Sequence, residues 1–204
     1  MDLPTRQLRE LSLFSGMGAF TLALRLAGLD TRTVCYVEHD KYAQQVLQQR
    51  FGDGLDPAPI WDDIKTFDPE RWRGHVDIVS AGFPCQPHSK AGSRRLAKGL
   101  DDARNLWPET LECIRLVGCE YIVLENVAEI LAGNGGRQAY ACTVLGDVAS
   151  LGFSEIRYGV YSASDAGAPH LRRRFWVLAH TDAYGRRRLH RKDEVQPAVG
   201  RIDA

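Results

Sequence analysis

Short apolar runs and amphipathic stretches take turns along this chain, with a glycine or proline marking most of the junctions. That alternation limits the possible folds more than any single motif. Residues 8–14 (LRELSLF) read as a strand that closes on the turn SGMGAF, and the helix that follows runs to about Ala27 and stops at Gly28. A short strand over 34–38 leads into the helix KYAQQVLQQRF, stopped by Gly52. GDGLDPAP makes a loop before a weak strand near Ile60, and HVDIVSAG (75–82) is a strong strand bounded by the turn signals FPCQP. Residues 106–117 read as a helix with Pro108 in its first turn, where a missing N–H costs nothing. EYIVLEN is a buried strand, RQAYACTVLGDVASLG a helix ended by Gly152, and FSEIRYGVYSA and RRFWVLAH the last two strands. The order predicts an α/β fold with a mostly parallel central sheet flanked by helices.

The 204 residues suffice for one domain, read here as residues 1–180, with a polar, basic tail at 181–204. At 44% hydrophobic and 25% charged residues the composition is that of a globular chain rather than a disordered or fibrous one. No run approaches the roughly 18 apolar residues of a membrane span, and the first residues lack the apolar core of a secretory signal. Lys plus Arg and Asp plus Glu each number 26, so net charge does not bear on nucleic-acid binding and only its distribution can. The five cysteines form no CxxC pair; an odd count without a secretory signal predicts reduced thiols in a cytoplasm, and no metal site. Cys35, Cys113, Cys119 and Cys142 read as small buried hydrophobes.

Gly16-x-Gly18, between the first strand and the first helix, lets the backbone approach a ligand at the carboxyl edge of the sheet. Thr21 breaks the full dinucleotide fingerprint, and no Lys-Ser/Thr pair follows to make a phosphate loop. Glu38 stands 22 positions after Gly16 at the end of the second strand, near the spacing of an acid that binds ribose hydroxyls. A solvated strand-end carboxylate is the plainer alternative. Asp63 could accept from an exocyclic amine with Ile64 against a flat ring, and Asp62 competes for that role. Together these residues point to a nucleoside cofactor across the edges of strands one to three.

GFPCQPHS (82–89) follows the fourth strand. Pro84 and Pro87 exclude regular helix or ladder there, so Cys85 sits on a stiff turn where open α/β sheets place their sites. Such a position suits a nucleophilic thiolate. Glu125 and Asn126 end the next strand, where a carboxyl entering an apolar pocket could stay protonated, or where the pair could simply cap the following helix. A cysteine and a carboxylic acid from neighbouring strands suit addition to a polarised ring: sulfur attacks carbon while the acid protonates a ring nitrogen. In PHLRRRFWVLA, Arg172 and Arg174 alternate, so on an extended chain both point to one face, with Arg173 on the other. Paired guanidinium groups fit a phosphate or a ring carbonyl; an exposed basic strand start is the plainer alternative.

Taken in order, FSGMGAF, Glu38, Asp63-Ile64, GFPCQPHS, ENV (125–127) and PHLRRR resemble the DNA (cytosine-5) methyltransferase family from about Leu8 to about His180. The resemblance implies a Rossmann-like methyltransferase sheet that binds S-adenosyl-L-methionine (SAM). It places the cofactor at Phe14, Ser15, Gly16, Met17, Gly18 and Ala19, with Glu38 on the ribose, His39 beside the adenine, Asp63 on its amine and Ile64 lining the ring. Pro84 and Leu106 (in RNLWPE) also approach the cofactor in this reading. It further implies that Cys85 attacks C6 of a cytosine flipped out of double-stranded DNA, with Glu125 on N3 and Arg172, supported by Arg174, on the O2 side. Residues 86–102, with Lys90, Arg94, Arg95 and Lys98, resemble a mobile loop that closes over DNA. RNA in place of DNA would leave the chemistry unchanged.

Some positions depart from the family pattern. Ser12 stands where an acid is common, Ala19 where a second glycine is usual, His88 where Phe is common and His170 where Gln is common; none removes a catalytic group. The 24 residues of 181–204, with Arg186, Arg187, Arg188, Arg191 and Lys192, are too few for the family's target recognition part. Three readings follow: an active catalytic domain, a silent SAM- or DNA-binding remnant, or a half-enzyme completed by a second polypeptide.

Overall fold

A computed structural model describes residues 6–84, 105–132 and 139–181. Among them are seven strands and four α-helices in the order β1 (Leu8–Leu13), α1 (Ala19–Leu26), β2 (Thr31–Val37), α2 (Lys41–Phe51), β3 (Ile60–Trp61), β4 (Ile78–Ala81), α3 (Trp107–Val117), β5 (Tyr121–Val127), α4 (Tyr140–Ser150), β6 (Glu155–Tyr161) and β7 (Arg174–His180). The expected α/β alternation is present throughout. The fourth strand is shorter than expected, because residues 75–77 belong to the approach to it; Asp77 N–H pairs with Arg9 O at 2.8 Å rather than in the ladder of β4. Short 3-10 turns at Pro69–Trp72, Ala128–Leu131 and Ala163–Ala166 have no periodicity long enough to be read in sequence.

All strands join one sheet in the order β3-β2-β1-β4-β5-β7-β6, and β7 alone runs against the rest. The chain moves outward from β1 to β3, then returns to β4 beside β1 and moves out the other way. Crossovers between parallel strands are right-handed, so this reversal puts helices on opposite faces. Leu24 of α1 and Leu47 of α2 pack on one face, against Leu8 and Ile78 and against Tyr36. Cys113, Ile114 and Val117 of α3 and Val144 and Val148 of α4 pack on the other, in one continuous core with Leu11, Leu13, Val79, Ile122 and Phe175. The reversal between β1 and β4 opens a crevice at their carboxyl ends, where ligands bind in sheets of this kind. On the α1 side, the half of the sheet formed by β4, β5, β7 and β6 carries no helix among the described residues. An open groove of about 430 Å³ lies there, lined by Leu8, Ile78, Tyr121, Val123, Trp176 and Leu178.

Both ends of the elements follow local chemistry. Asp40 caps α2 by accepting from Ala43 N–H at 2.8 Å. Gly28 and Gly118 end α1 and α3 with φ of 84° and 66°, a backbone that only glycine adopts without strain.

Candidate functional site

The segment after β1 is a loop of alternating left-handed residues: Phe14, Gly16 and Gly18 have φ of 53°, 54° and 77°. Ser15 anchors it, donating from Oγ to Ser12 O at 2.8 Å while its N–H reaches Val37 O at 3.2 Å. The two glycines serve different ends. A Cβ on Gly18 would stand 2.6 Å from Leu55 Cδ1, so this glycine lets the loop press onto the core beneath α1 and α2. A Cβ on Gly16 would meet nothing within 4 Å; its outer side is open space. The exposed Met17 is held through its carbonyl by the Arg50 guanidinium, and Ala19 opens α1 with no side chain capping it.

Glu38 follows β2 directly and draws this loop in. One carboxylate oxygen accepts from Gly16 N–H at 2.7 Å and the other from Asp40 N–H at 2.7 Å. The main chain of Glu38 is fixed as well, its N–H bonding Trp61 O at 2.9 Å and its carbonyl accepting from Gln44 at 2.6 Å. His39 is exposed and its Nδ1 lies 3.0 Å from Asp62 O. Of the two adjacent acids past β3, Asp62 pairs with Lys41 at 3.7 Å in solvent. The half-buried Asp63 accepts from Lys65 N–H at 2.9 Å. Ile64 is buried in the core shared with α3 and α4.

The second group gathers at the ends of β4 and β5. Gly82, Phe83 and Pro84 lead away from β4; Cys85 and residues 86–102, with Lys90, Arg94, Arg95 and Lys98, lie outside the described residues. Phe83 is buried against Trp107 (ring centroids 4.9 Å apart). Asn126 Nδ2 donates to Phe83 O at 3.0 Å, which ties the segment entering Cys85 to the end of β5. Half-buried Leu106 precedes α3 on the same side of the sheet. Glu125 Oε1 stands 2.6 Å from Arg174 Nε. A Cβ on Gly82 would come 3.4 Å from Glu125 Oε2, an ordinary contact, so the carboxyl lies directly beside the end of β4. Phe20 of α1 borders the same spot and meets Trp176 edge-on at 5.7 Å.

Burial raises the Glu125 pKa above the ordinary carboxylic-acid value and outweighs the opposing pull of the Arg174 and Arg172 guanidinium groups. The arginines arrive here because β7 is antiparallel: Arg174 lies opposite Val127, bringing the start of β7 to the carboxyl end of β5. An extended Arg172 was expected, yet its φ is 28°, so simple alternation stops one residue short of the strand. This kink makes Arg172, Arg173 and Arg174, with Glu129, all line one cleft beside the end of β5. The structure thus brings Glu125, Arg174 and Arg172 together, and separately Gly16 and Glu38.

One contributor escaped the motif reading: Glu10, an acid within the apolar run LRELSLF, fully buried in β1. The described cysteines are unpaired; burial pushes the thiols of Cys35 and Cys119 up to about 12 and that of Cys113 upward as well. Among the described residues no group of three His, Cys, Asp or Glu could hold a metal ion, and no helix is long and apolar enough to cross a membrane.

Comparison with known proteins places this geometry. The model of the family described as C-5 cytosine-specific DNA methylase matches residues 8–199. The type II methyltransferase M.PspPI of Psychrobacter sp. (strain TA137) is 32% identical over 188 residues, which cover 89% of this chain and 42% of that protein. M.NlaX of Neisseria lactamica is 34% identical over 169 residues, 82% of this chain and 50% of that protein. The chain therefore spans about half the length of these relatives. A mutant DNMT2 of Spodoptera frugiperda superposes with a TM-score of 0.68 at 22% identity over 86% of this chain and 50% of that one. A putative DNA modification methyltransferase from an E. coli prophage gives 0.66 at 23% identity over 85% of this chain and 47% of its own, so the fold is that of the methyltransferases.

Proposed function

Because this chain belongs to the C-5 cytosine-specific DNA methylase family, we propose that it carries the catalytic part of a DNA cytosine-5 methyltransferase, transferring a methyl group from SAM to C5 of a cytosine in double-stranded DNA. The observation that carries this reading is the meeting of Glu125 and Arg174 at 2.6 Å beside the end of β4, and Cys85 follows in the chain four residues after that strand ends at Ala81. Residues 1–180 are the catalytic domain, and 181–204 are a basic polar tail or the start of a target recognition region.

The residues after β1 and β2 fit the cofactor. The open space outside Gly16 admits a ligand close to the backbone, and the Glu38 carboxylate faces it at the strand end with lone pairs beyond those given to Gly16 and Asp40. Phe14, Ser15, Met17, Gly18 and Ala19 complete this cradle, Glu38 takes the ribose hydroxyls, and His39, Asp63, Ile64, Pro84 and Leu106 border the adenine and methionine ends. When bound, SAM supplies an electrophilic methyl group.

The Cys85 thiolate adds to C6 of the flipped cytosine, breaking the C5–C6 π bond and moving its electrons to C5. Glu125, whose hold on a proton is strengthened by burial, keeps a proton at N3, which draws electron density from the ring and makes C6 electrophilic. Arg172 binds O2 and Arg174 keeps Glu125 in place. With SAM bound, C5 would take its methyl group as the methyl–sulfur bond breaks and leaves a thioether; a base would then remove the C5 proton, and the returning electrons would re-form the C5–C6 bond as the thiolate of Cys85 leaves.

Covalent trapping tests the reading. With SAM and mixed-sequence duplex containing 5-fluorocytosine, the fluorine at C5 cannot depart as a proton, so the methylated base stays bonded to the enzyme. A denaturation-resistant adduct that needs both SAM and Cys85 is expected, and Cys85→Ala abolishes it. An adduct independent of Cys85 overturns the mechanism.

A further inference from the structure

The Glu10 carboxyl, fully buried in the central strand, collects hydroxyl groups from three other elements. Ser80 of β4 lies 2.6 Å from Oε1; Thr21 of α1 and Thr33 of β2 lie 2.8 and 2.7 Å from Oε2. All four residues are completely or almost completely excluded from solvent. The backbone is shaped for this cluster. Pairing of β1 with β2 shifts by one residue between Glu10 and Leu11, leaving Val34 without a partner. The shift sets Thr33 beside Glu10 on the α1 face, while Cys35 and Val37 turn to the opposite core. Without it, Thr33 and Cys35 would share a face.

The cluster lies where apolar packing is interrupted. On this face Leu8, Leu24 and Ile78 form one small apolar group and Tyr36, Leu47 and Leu55 another. Between them the first turn of α1 rests on the sheet through Thr21, and Leu24 provides apolar hold only in the next turn. Apolar contact resists separation but tolerates sliding and rotation; hydrogen bonds of fixed direction do not. The Ser12 hydroxyl, buried on the same face one step nearer the loop, makes no hydrogen bond, so the contacts converge on Glu10.

We propose that Glu10 is a positioning residue for the cofactor loop: by binding Thr21, Thr33 and Ser80 together it sets the register of the first turn of α1 on β1, β2 and β4, and hence where Gly16 and Gly18 stand relative to Glu38. Its effect on SAM rests on the proposed function, whereas its effect on the loop does not.

The test uses the full chain in three variants. Glu10→Gln keeps the volume and part of the bonding capacity; Glu10→Val removes all of it; Val148→Ala opens a cavity in the opposite core, away from the loop. Hydrogen exchange of the amides from Gly16 to Leu22 should accelerate in Glu10→Gln by about tenfold, the scale of one lost hydrogen bond, and further in Glu10→Val. In Val148→Ala these amides should stay within twofold of wild type. SAM affinity, read by titration calorimetry, should fall in the same order. Unchanged exchange over residues 16–22 in Glu10→Gln, or an equal rise in Val148→Ala, overturns the proposal. Accelerated exchange with no SAM binding even in wild type upholds the positioning role and overturns the cofactor reading instead.

Discussion

At the scale of single residues, Glu125 holds the tension that decides its role. Contact with Arg174 favours the carboxylate and burial favours the acid; burial prevails, so the folded state binds the proton more tightly than the unfolded chain does. For a raised acid, stability is greatest at low pH and is lost as pH rises through the unfolded value of about 4.3 and on through the folded value. Glu125→Gln carries a permanent neutral group in that place. It should keep or raise the thermal midpoint at pH 7 while methyl transfer falls about 10²–10⁴-fold, the usual scale for a lost general acid. A midpoint several degrees lower in differential scanning calorimetry would mean that the ion pair with Arg174 holds the fold together and that burial is the lesser effect.

At the scale of elements, the loop between β1 and α1 divides its work between two glycines. Gly18→Ala puts a Cβ 2.6 Å from Leu55 at a φ of 77°, so it should destabilise the protein by about 1–3 kcal/mol through overpacking, with backbone strain added. Gly16→Ala meets no protein atom and should cost only about 1 kcal/mol for its left-handed backbone. Its methyl, however, occupies the space assigned to the cofactor, so SAM affinity should fall more for Gly16→Ala than its stability does. Equal losses of affinity in the two variants, measured beside urea unfolding, would contradict the division. Asn126 plays a corresponding part at the other end of the crevice, since its bond to Phe83 O fixes β4 to β5 where the Cys85 segment departs.

At the scale of the whole molecule, the edge of the sheet opposite the site is closed by charge. Burial disfavours ionised Asp77, but the side-chain and backbone hydrogen bonds of Arg9, at 2.9 and 3.0 Å, together with Arg6 outweigh it and hold the carboxyl well below the usual range. The Asp77 carbonyl also accepts from Glu120 and Tyr121 N–H, so this residue joins β1, β4 and β5. For a depressed acid, the stabilisation is present above the unfolded value of about 3.9 and disappears as pH falls through the folded value. Asp77→Asn should therefore lose about 2 kcal/mol at pH 6–7, roughly 4–8 °C in Tm for a chain of this size, and the gap to wild type should narrow steadily below pH 4. A gap independent of pH would assign the loss to packing.

The alternation of strands and helices, the glycine turn and the acids at strand ends were legible in the sequence, because periodicity and turn chemistry are local and depend on residues a few positions apart. The sequence also determined which chemical groups are available: a thiol at 85, an acid at 125, guanidinium groups at 172 and 174, and a carboxylate at 38. Tertiary structure decided how they meet. That Glu38 binds Gly16 N–H from 22 positions away, that the antiparallel start of β7 delivers Arg174 to Glu125, and that Arg172 leaves the extended path follow from pairing and register between distant segments. Glu10 is the clearest case: in sequence it is an acid interrupting an apolar run, and only a one-residue shift in β2 and a hydroxyl 70 positions away give it partners. Local patterns set each segment's conformation and inward face, whereas a buried polar group is satisfied only by atoms that the assembled sheet brings within 3 Å.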